Sequence, residues 1–388
     1  MKIYKHKKEG INMIDYEALG IKKVINAAGT YTVYGGSLVL PEVIKAMEAA
    51  SKYFVEIDEL LVKTGKYIAN LVGAEAALIT AGAAAGLTLS SAACIAGSKP
   101  ENIKALPNTN NMKNEIIIMR SHRNPYDSAM VFAGARFAEI GNAIETHPWE
   151  LKAAISEKTA AVAFFVQSAM LESSLNLDQV IEIAHSQHIP VIVDAAAELP
   201  PFENLKKFTS MGADIVLFSG GKDFRGPQSS GLMIGKKDIV DICRLHGYPN
   251  HAIGRPMKLD KETIMGFVAA LESYLREDHK QRIETWKKQV NKIEKGLKDI
   301  SSFEIFQGYP HQPLTQPAIV PRVYIKCIHK KNQLTKEQIA QKLYQGNPRI
   351  AVVVEKNYLT INPHMLKEGE EDLIVKKIRE IVNKYGKK

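Results

Sequence analysis

The chain is poor in cysteine: Cys94, Cys243 and Cys327 are the only three in 388 residues, and none forms a Cys-x-x-Cys pair. An odd, scattered set excludes a disulfide framework and a zinc–cysteine site, and no metal site is expected; it points to a reducing, cytoplasmic setting. No apolar run approaches the length of a membrane span, so no membrane partner is expected. The basic start Met1–Lys8 is followed by no apolar segment and does not read as a secretory signal; residues 1–12 read as a tail, with Met13 an alternative start. Net charge is +9, yet the basic residues form no block interleaved with aromatics, which argues against a nucleic-acid partner. That charge reads either as a lysine-rich solvated surface or as attraction for anionic substrates. There is no internal repeat, no low-complexity tract and no segment that reads as a DNA-binding helix-turn-helix.

What is present is ordinary globular composition, 45% hydrophobic and 24% charged, in a chain long enough for one large and one small domain. Three segments stand out. Ala213–Phe218 reads as a buried strand and runs into Ser219-Gly220-Gly221-Lys222, followed by Gly226-Pro227-Gln228-Ser229-Ser230-Gly231. Glycines on both sides of Lys222 permit a tight turn and close approach of a ligand. Pro190–Ala197 is a second strand pattern, carrying Asp194 toward its end. Ala77–Thr80 is a third, entering the turn Ala81-Gly82-Ala83-Ala84-Ala85-Gly86 that opens a helix. A helix start offers free N–H groups and a positive dipole end, which suit a phosphate. A phosphate cradle, a strand-end aspartate and a strand-end lysine, in that order, are the parts that hold pyridoxal 5'-phosphate: the lysine as Schiff base, the aspartate keeping the pyridine nitrogen protonated.

Along the chain, Val24–Thr32 and Gly35-Gly36-Ser37 read as a surface loop or an active-site rim, with Thr30 and Tyr31 as candidate substrate contacts. A long helical stretch is expected from Pro41 to about Leu71, with Ile44, Met47, Tyr53, Ile57, Leu60, Leu61, Ile68 and Leu71 as its apolar face. Strands over Glu115–Arg120, Phe137–Ile140 and Ala160–Val166 follow; the first leads to His122 and Arg123, the third to Gln167 and Ser168. Alternating strands and helices imply a largely parallel sheet covered on both faces, with ligands at the carboxyl ends of the strands. Thr80, His122, Gln167, Asp194 and Lys222 all fall there. Tyr248–Lys258 is a Gly/Pro-punctuated loop, in which Arg255 reads equally as an anion clamp or a surface arginine. The expected organisation is a segment over residues 1–23, a large domain over 24–258, a linking helix over 259–297 and a small α+β domain over 298–388.

These residues resemble the fold-type I pyridoxal-phosphate superfamily (aspartate aminotransferase-like), in the branch related to selenocysteine synthase. The likeness rests on Ser219–Gly231, Ile25–Thr32, Gly73–Ala77, Thr80–Gly86 and Asp194–Pro201, and within the branch it is closest to ammonia-lyase-like proteins acting on an aminosugar acid phosphate. The resemblance implies Lys222 as Schiff-base lysine, Asp194 as pyridinium partner, and Gly82, Ala83, Ala84 and Ser219 as phosphate contacts. Gln167 joins the cofactor set, and His122 matches the ring-stacking position. Arg255 and Arg123 are candidates for a substrate anion, and a homodimer or higher even homo-oligomer is implied. The reaction implied is loss of hydroxyl and ammonia from a hydroxylated amino acid to give a 2-keto-3-deoxy acid. Selenium or sulfur transfer, racemisation, aldol cleavage and transamination use the same Lys222 and Asp194. A non-catalytic cofactor-binding regulator is the reading from another class.

Overall fold

The computed structural model describes residues 15–142, 144–166, 174–310, 316–328 and 334–385. The chain divides into two compact units, one built from residues 30–287 and 308–321, the other from the residues before 30 together with 288–307 and 322–388. Strands are numbered in chain order. β1 (Val24–Asn26) belongs to the smaller unit. The larger unit holds β2 (Ala76–Thr80), β3 (Glu115–Met119), β4 (Arg136–Ile140), β5 (Thr159–Phe165), β6 (Val191–Asp194), β7 (Ile215–Ser219) and β8 (Gly231–Gly235). The smaller unit continues with β9 (Phe303–Gly308), β10 (Arg322–Cys327), β11 (Arg349–Ala351), β12 (Val353–Val354) and β13 (Leu359–Ile361).

In the larger unit the strands form one sheet in the order β2-β8-β7-β6-β5-β3-β4. Every pairing is parallel except those of β8, which runs against both β2 and β7. Ile116–Ile118, Val191–Val193 and Ile215–Phe218 are buried on both faces, as expected of central strands covered by helices. The helix Gly82–Ala96 is built almost wholly of small and apolar residues and packs so closely on the sheet that a Cβ at Gly86 would lie 2.7 Å from Leu217. The α/β class read from the sequence holds, and the carboxyl ends of β2, β3, β5, β6 and β7 share one edge.

Three local expectations are revised. Val24–Asn26 is not a loop but a strand, paired in parallel with β11. The stretch after Pro41 is two helices, Pro41–Ser51 and Ile57–Val72. Of its expected apolar face, Leu61 and Ile68 are buried, whereas Ile44 and Tyr53 are exposed. The expected single helix over 259–297 is also two, Lys261–Arg276 and His279–Leu297. Asp278 starts the second by accepting the Gln281 N–H at 2.9 Å, and extended Glu277 makes the break. In the smaller unit β12-β13-β10-β9 form a sheet, and Val290, Ile293, Ile339, Ile374 and Ile378 fill its core. Among the described residues no helix is long and apolar enough to cross a membrane.

Candidate active site

Gly231 sits where three elements meet. It pairs with Thr80 on one side and Ser219 on the other. A Cβ there would lie 2.5 Å from the Gly82 carbonyl carbon and 2.8 Å from the Ala83 nitrogen, so only glycine lets β8 pass beneath the start of the helix. Gly82 itself has φ +83°, and the Thr80 hydroxyl donates to its carbonyl at 2.8 Å. The N–H groups of Gly82, Ala83 and Ala84 lie in the first turn, where an α-helix supplies no partners.

Beside this cradle, β7 ends at Ser219 and the chain turns through Lys222. Gly220 and Gly221 are required by crowding: a Cβ on either would fall within 2.5 Å of Ser230 or Gln228. The rim segment foreseen near residue 36 seats here. Ser37 Oγ donates to the Gly221 carbonyl at 3.1 Å, and the Gln228 amide, oriented to satisfy both its ends, donates to Gly35 at 2.8 Å and Gly221 at 3.0 Å. Below Lys222, buried Asp223 pairs with Arg282 at 2.8 Å, and Glu277 receives both Arg282 (3.1 Å) and Arg225 (2.5 Å). This network is invisible in local sequence, because its members come from the turn and from the helix break at Glu277.

Among the described residues the Lys222 amine has no hydrogen-bond or ion-pair partner. Burial lowers its pKa, opposed by the fields of Asp194 and Glu198. Asp194, at the end of β6, is raised by burial, while the Ala196 N–H (2.9 Å) and Lys222 pull it back. Glu198 lies four residues on, 6% exposed, and is pushed up to about 8 by burial and by Asp194. Sequence reading passed over Glu198; a carboxyl next to Leu199-Pro200-Pro201 was the only signal.

His122 is wholly buried, edge-on to Phe164, and its Nδ1 accepts the Phe165 N–H at 3.2 Å, which places the ring proton on Nε2. Among the described residues buried Nε2 has no hydrogen-bond partner, and burial pushes the imidazole down to about 4. The ring shows no open face, so a planar ligand can lie on it only after neighbouring side chains move. Arg123 is committed to Asp127 and Glu139 and lies over Phe137. Arg255 stacks over Tyr248 and lines a cleft of about 510 Å³ with Lys104, His251 and Ile253. The Thr30 and Tyr31 side chains form no hydrogen bond among the described residues; the Tyr31 carbonyl holds the Gly36 N–H at 3.0 Å. Gln167 lies outside the described residues.

Residues 24–299 match the family described as SelA, L-seryl-tRNA selenium transferase. The chain belongs to this family. This SelA-family chain is also 33% identical to the D-glucosaminate-6-phosphate ammonia lyase of Salmonella typhimurium, over 94% of its own length and 97% of that protein. A Streptomyces 5'-C-glycyluridine monooxygenase-decarboxylase is 27% identical over 98% and 95% of the two chains. The solved D-glucosaminate-6-phosphate ammonia-lyase superposes with TM-score 0.83 at 31% identity, covering 97% of this chain and all of that one. The SelA-family member described here is a pyridoxal-phosphate enzyme, and its residues fit the group: a desolvated unpaired lysine, a strand-end carboxylate and a glycine-lined set of free N–H groups stand at one sheet edge.

Proposed function

We propose that this protein is a pyridoxal-phosphate-dependent ammonia-lyase that removes hydroxyl and ammonia from a hydroxylated amino acid, in particular a phosphorylated aminosugar acid, to give a 2-keto-3-deoxy acid. The reading is supported above all by the near full-length likeness to the Salmonella lyase; Lys222 and Asp194 at one sheet edge are compatible with it. It also takes the protein to be a homodimer or a higher even homo-oligomer.

Lys222 is the attachment point, Asp194 the pyridine-nitrogen partner, and the N–H groups of Gly82, Ala83 and Ala84 with the Ser219 hydroxyl hold the phosphate. When bound, pyridoxal phosphate supplies an electron sink for charge developing at Cα. Lys222, its pKa lowered by burial, is suited to receive the Cα proton as a neutral amine. Asp194 accepts the Ala196 N–H, which favours its charged form beside a protonated ring nitrogen. The Asp223–Arg282–Glu277–Arg225 network fixes the turn that aims Lys222. Arg255 and Lys258 are the cations proposed for the phosphate end of the substrate, since Arg123 is held by Asp127 and Glu139.

The test is spectroscopic and then chemical. The purified protein is expected to show the visible absorbance of lysine-bound pyridoxal, lost in Lys222→Ala along with activity, by about 1,000-fold or more. D-glucosaminate 6-phosphate is expected to yield ammonia and a keto acid. Absorbance without ammonia release would sink the lyase reading and leave the cofactor site standing.

A further inference from the structure

Glu198 is a buried carboxyl with no evident structural need to be an acid. Its backbone is fixed at both ends, its N–H donating to the Ala195 carbonyl at 3.1 Å and its carbonyl accepting Asn204 Nδ2 at 2.8 Å. Among the described residues its side chain accepts one hydrogen bond, from Gln316 Nε2, which also donates to the Val166 carbonyl at 2.6 Å. Among the described residues no cation lies within ion-pairing distance of it; Lys222 and Lys207 act on it only from further away. A glutamine would accept the same hydrogen bond without the cost of burying a titratable group.

Charge counting explains the acid. Two carboxyls, Asp194 and Glu198, lie at this sheet edge: Gln316 Nε2, which donates to Glu198, also donates to the Val166 carbonyl at 2.6 Å, and the Val166 N–H donates to the Asp194 carbonyl at 3.0 Å. Both carboxyls act electrostatically on one amine, Lys222. Like charges in a buried site do not both ionise. Asp194 is the one that accepts a backbone N–H, from Ala196, and so is the better placed to carry the negative charge. Glu198 therefore keeps its proton near neutral pH, consistent with its upward shift to about 8.

We propose that Glu198 is a catalytic residue, the general acid that protonates the hydroxyl leaving from the β-carbon; this rests on the lyase reading above. The proton inventory balances. The Cα–H proton passes to the Lys222 amine, and its electron pair forms the Cα–Cβ double bond as the Cβ–O bond breaks. The Glu198 proton goes to the departing oxygen, which leaves as water. Lys222 gains a positive charge as Glu198 gains a negative one, so the buried cluster keeps its net charge.

The experiment compares holoenzyme of wild type, Glu198→Gln and Glu198→Asp with D-glucosaminate 6-phosphate in D2O. Exchange at Cα is read by NMR and keto acid release by a coupled assay. Glu198→Gln is expected to exchange Cα–H at close to the wild-type rate and to lose keto acid formation by about 100-fold or more. A β-chloro amino acid, whose leaving group needs no proton, is expected to restore elimination. Glu198→Asp keeps an acid, so it retains exchange and part of the elimination, and it serves if the amide variant folds poorly. Independently of turnover, the cofactor-free wild type at pH 7 is expected to show the infrared C=O stretch of a protonated carboxyl that Glu198→Gln lacks. Near wild-type elimination by Glu198→Gln overturns the proposal. So does parallel loss of exchange and elimination, or no difference in the infrared band. If wild type itself releases no keto acid, the lyase reading fails and the infrared result alone decides whether Glu198 holds its proton.

Discussion

Burial moves His122 and Glu198 in opposite directions, because imidazole is charged when protonated and a carboxyl when not. His122 stays neutral in the fold down to about 4, against 6.5 for a free side chain. Between those values the unfolded chain binds more protons, so the contribution is complete above 6.5 and is lost as pH falls toward 4. Glu198 keeps its proton up to about 8, against 4.5 when free, so there the fold binds more protons and stability declines as pH rises from 4.5 toward 8. In thermal unfolding of the cofactor-free protein, His122→Gln is expected to flatten the acid limb and Glu198→Gln the alkaline one. The change is about 3 kcal/mol across the His122 window and about 5 kcal/mol across the Glu198 window. An unchanged acid limb in His122→Gln would contradict a buried neutral imidazole.

At the scale of elements, the site depends on β8 passing close beneath the helix Gly82–Ala96. Gly231→Ala would drive a methyl group into the Gly82–Ala83 backbone, displacing the N–H groups proposed to hold the phosphate. Overpacking of this kind costs about 1–3 kcal/mol, so affinity for pyridoxal phosphate is expected to fall about tenfold or more. A fluorescence titration of the variant checks this, and wild-type affinity would place the phosphate elsewhere. The helix break at Glu277 works on the other side of the site. It replaces a continuous helix with an extended residue whose carboxylate meets Arg225 and Arg282, bracing the Lys222 turn from below.

For the whole molecule, the proposed self-association has a chemical counterpart in Tyr53-Phe54-Val55. These residues link the helices Pro41–Ser51 and Ile57–Val72 and are 71%, 103% and 48% exposed. Three consecutive apolar residues open to water are the kind of surface an oligomer covers. Phe54→Asp is expected to weaken self-association by about 100-fold or more, the size of an aromatic hot spot. Light scattering over a concentration series measures it; an unchanged oligomer would remove this segment from the interface.

The larger sheet, and the places of Lys222 and Asp194 at the ends of its strands, were legible in the sequence because central strands are local objects. Continuous apolar runs announce them, and glycines with a polar residue at their ends announce the ligand edge. The breaks after Ser51 and at Glu277 were passed over. At Glu277 the local signals were the stretch without apolar residues between Leu275 and Ile283 and the capping Asp278, and the ion pairs to Arg225 and Arg282 complete the break. The strand Val24–Asn26 was missed because its partner, β11, lies more than 300 residues further along. Glu198 shows the same division. Sequence places a glutamate four residues after Asp194, but its charge state depends on burial and on the neighbours Asp194, Lys222 and Gln316. Sequence by itself determined the sheet and the cofactor, and offered the lysine proposed to hold it, because those are written in contiguous segments. Tertiary structure alone decided which carboxyl keeps its proton and what braces the lysine, because electrostatic energies depend on distances in space and on exclusion of water.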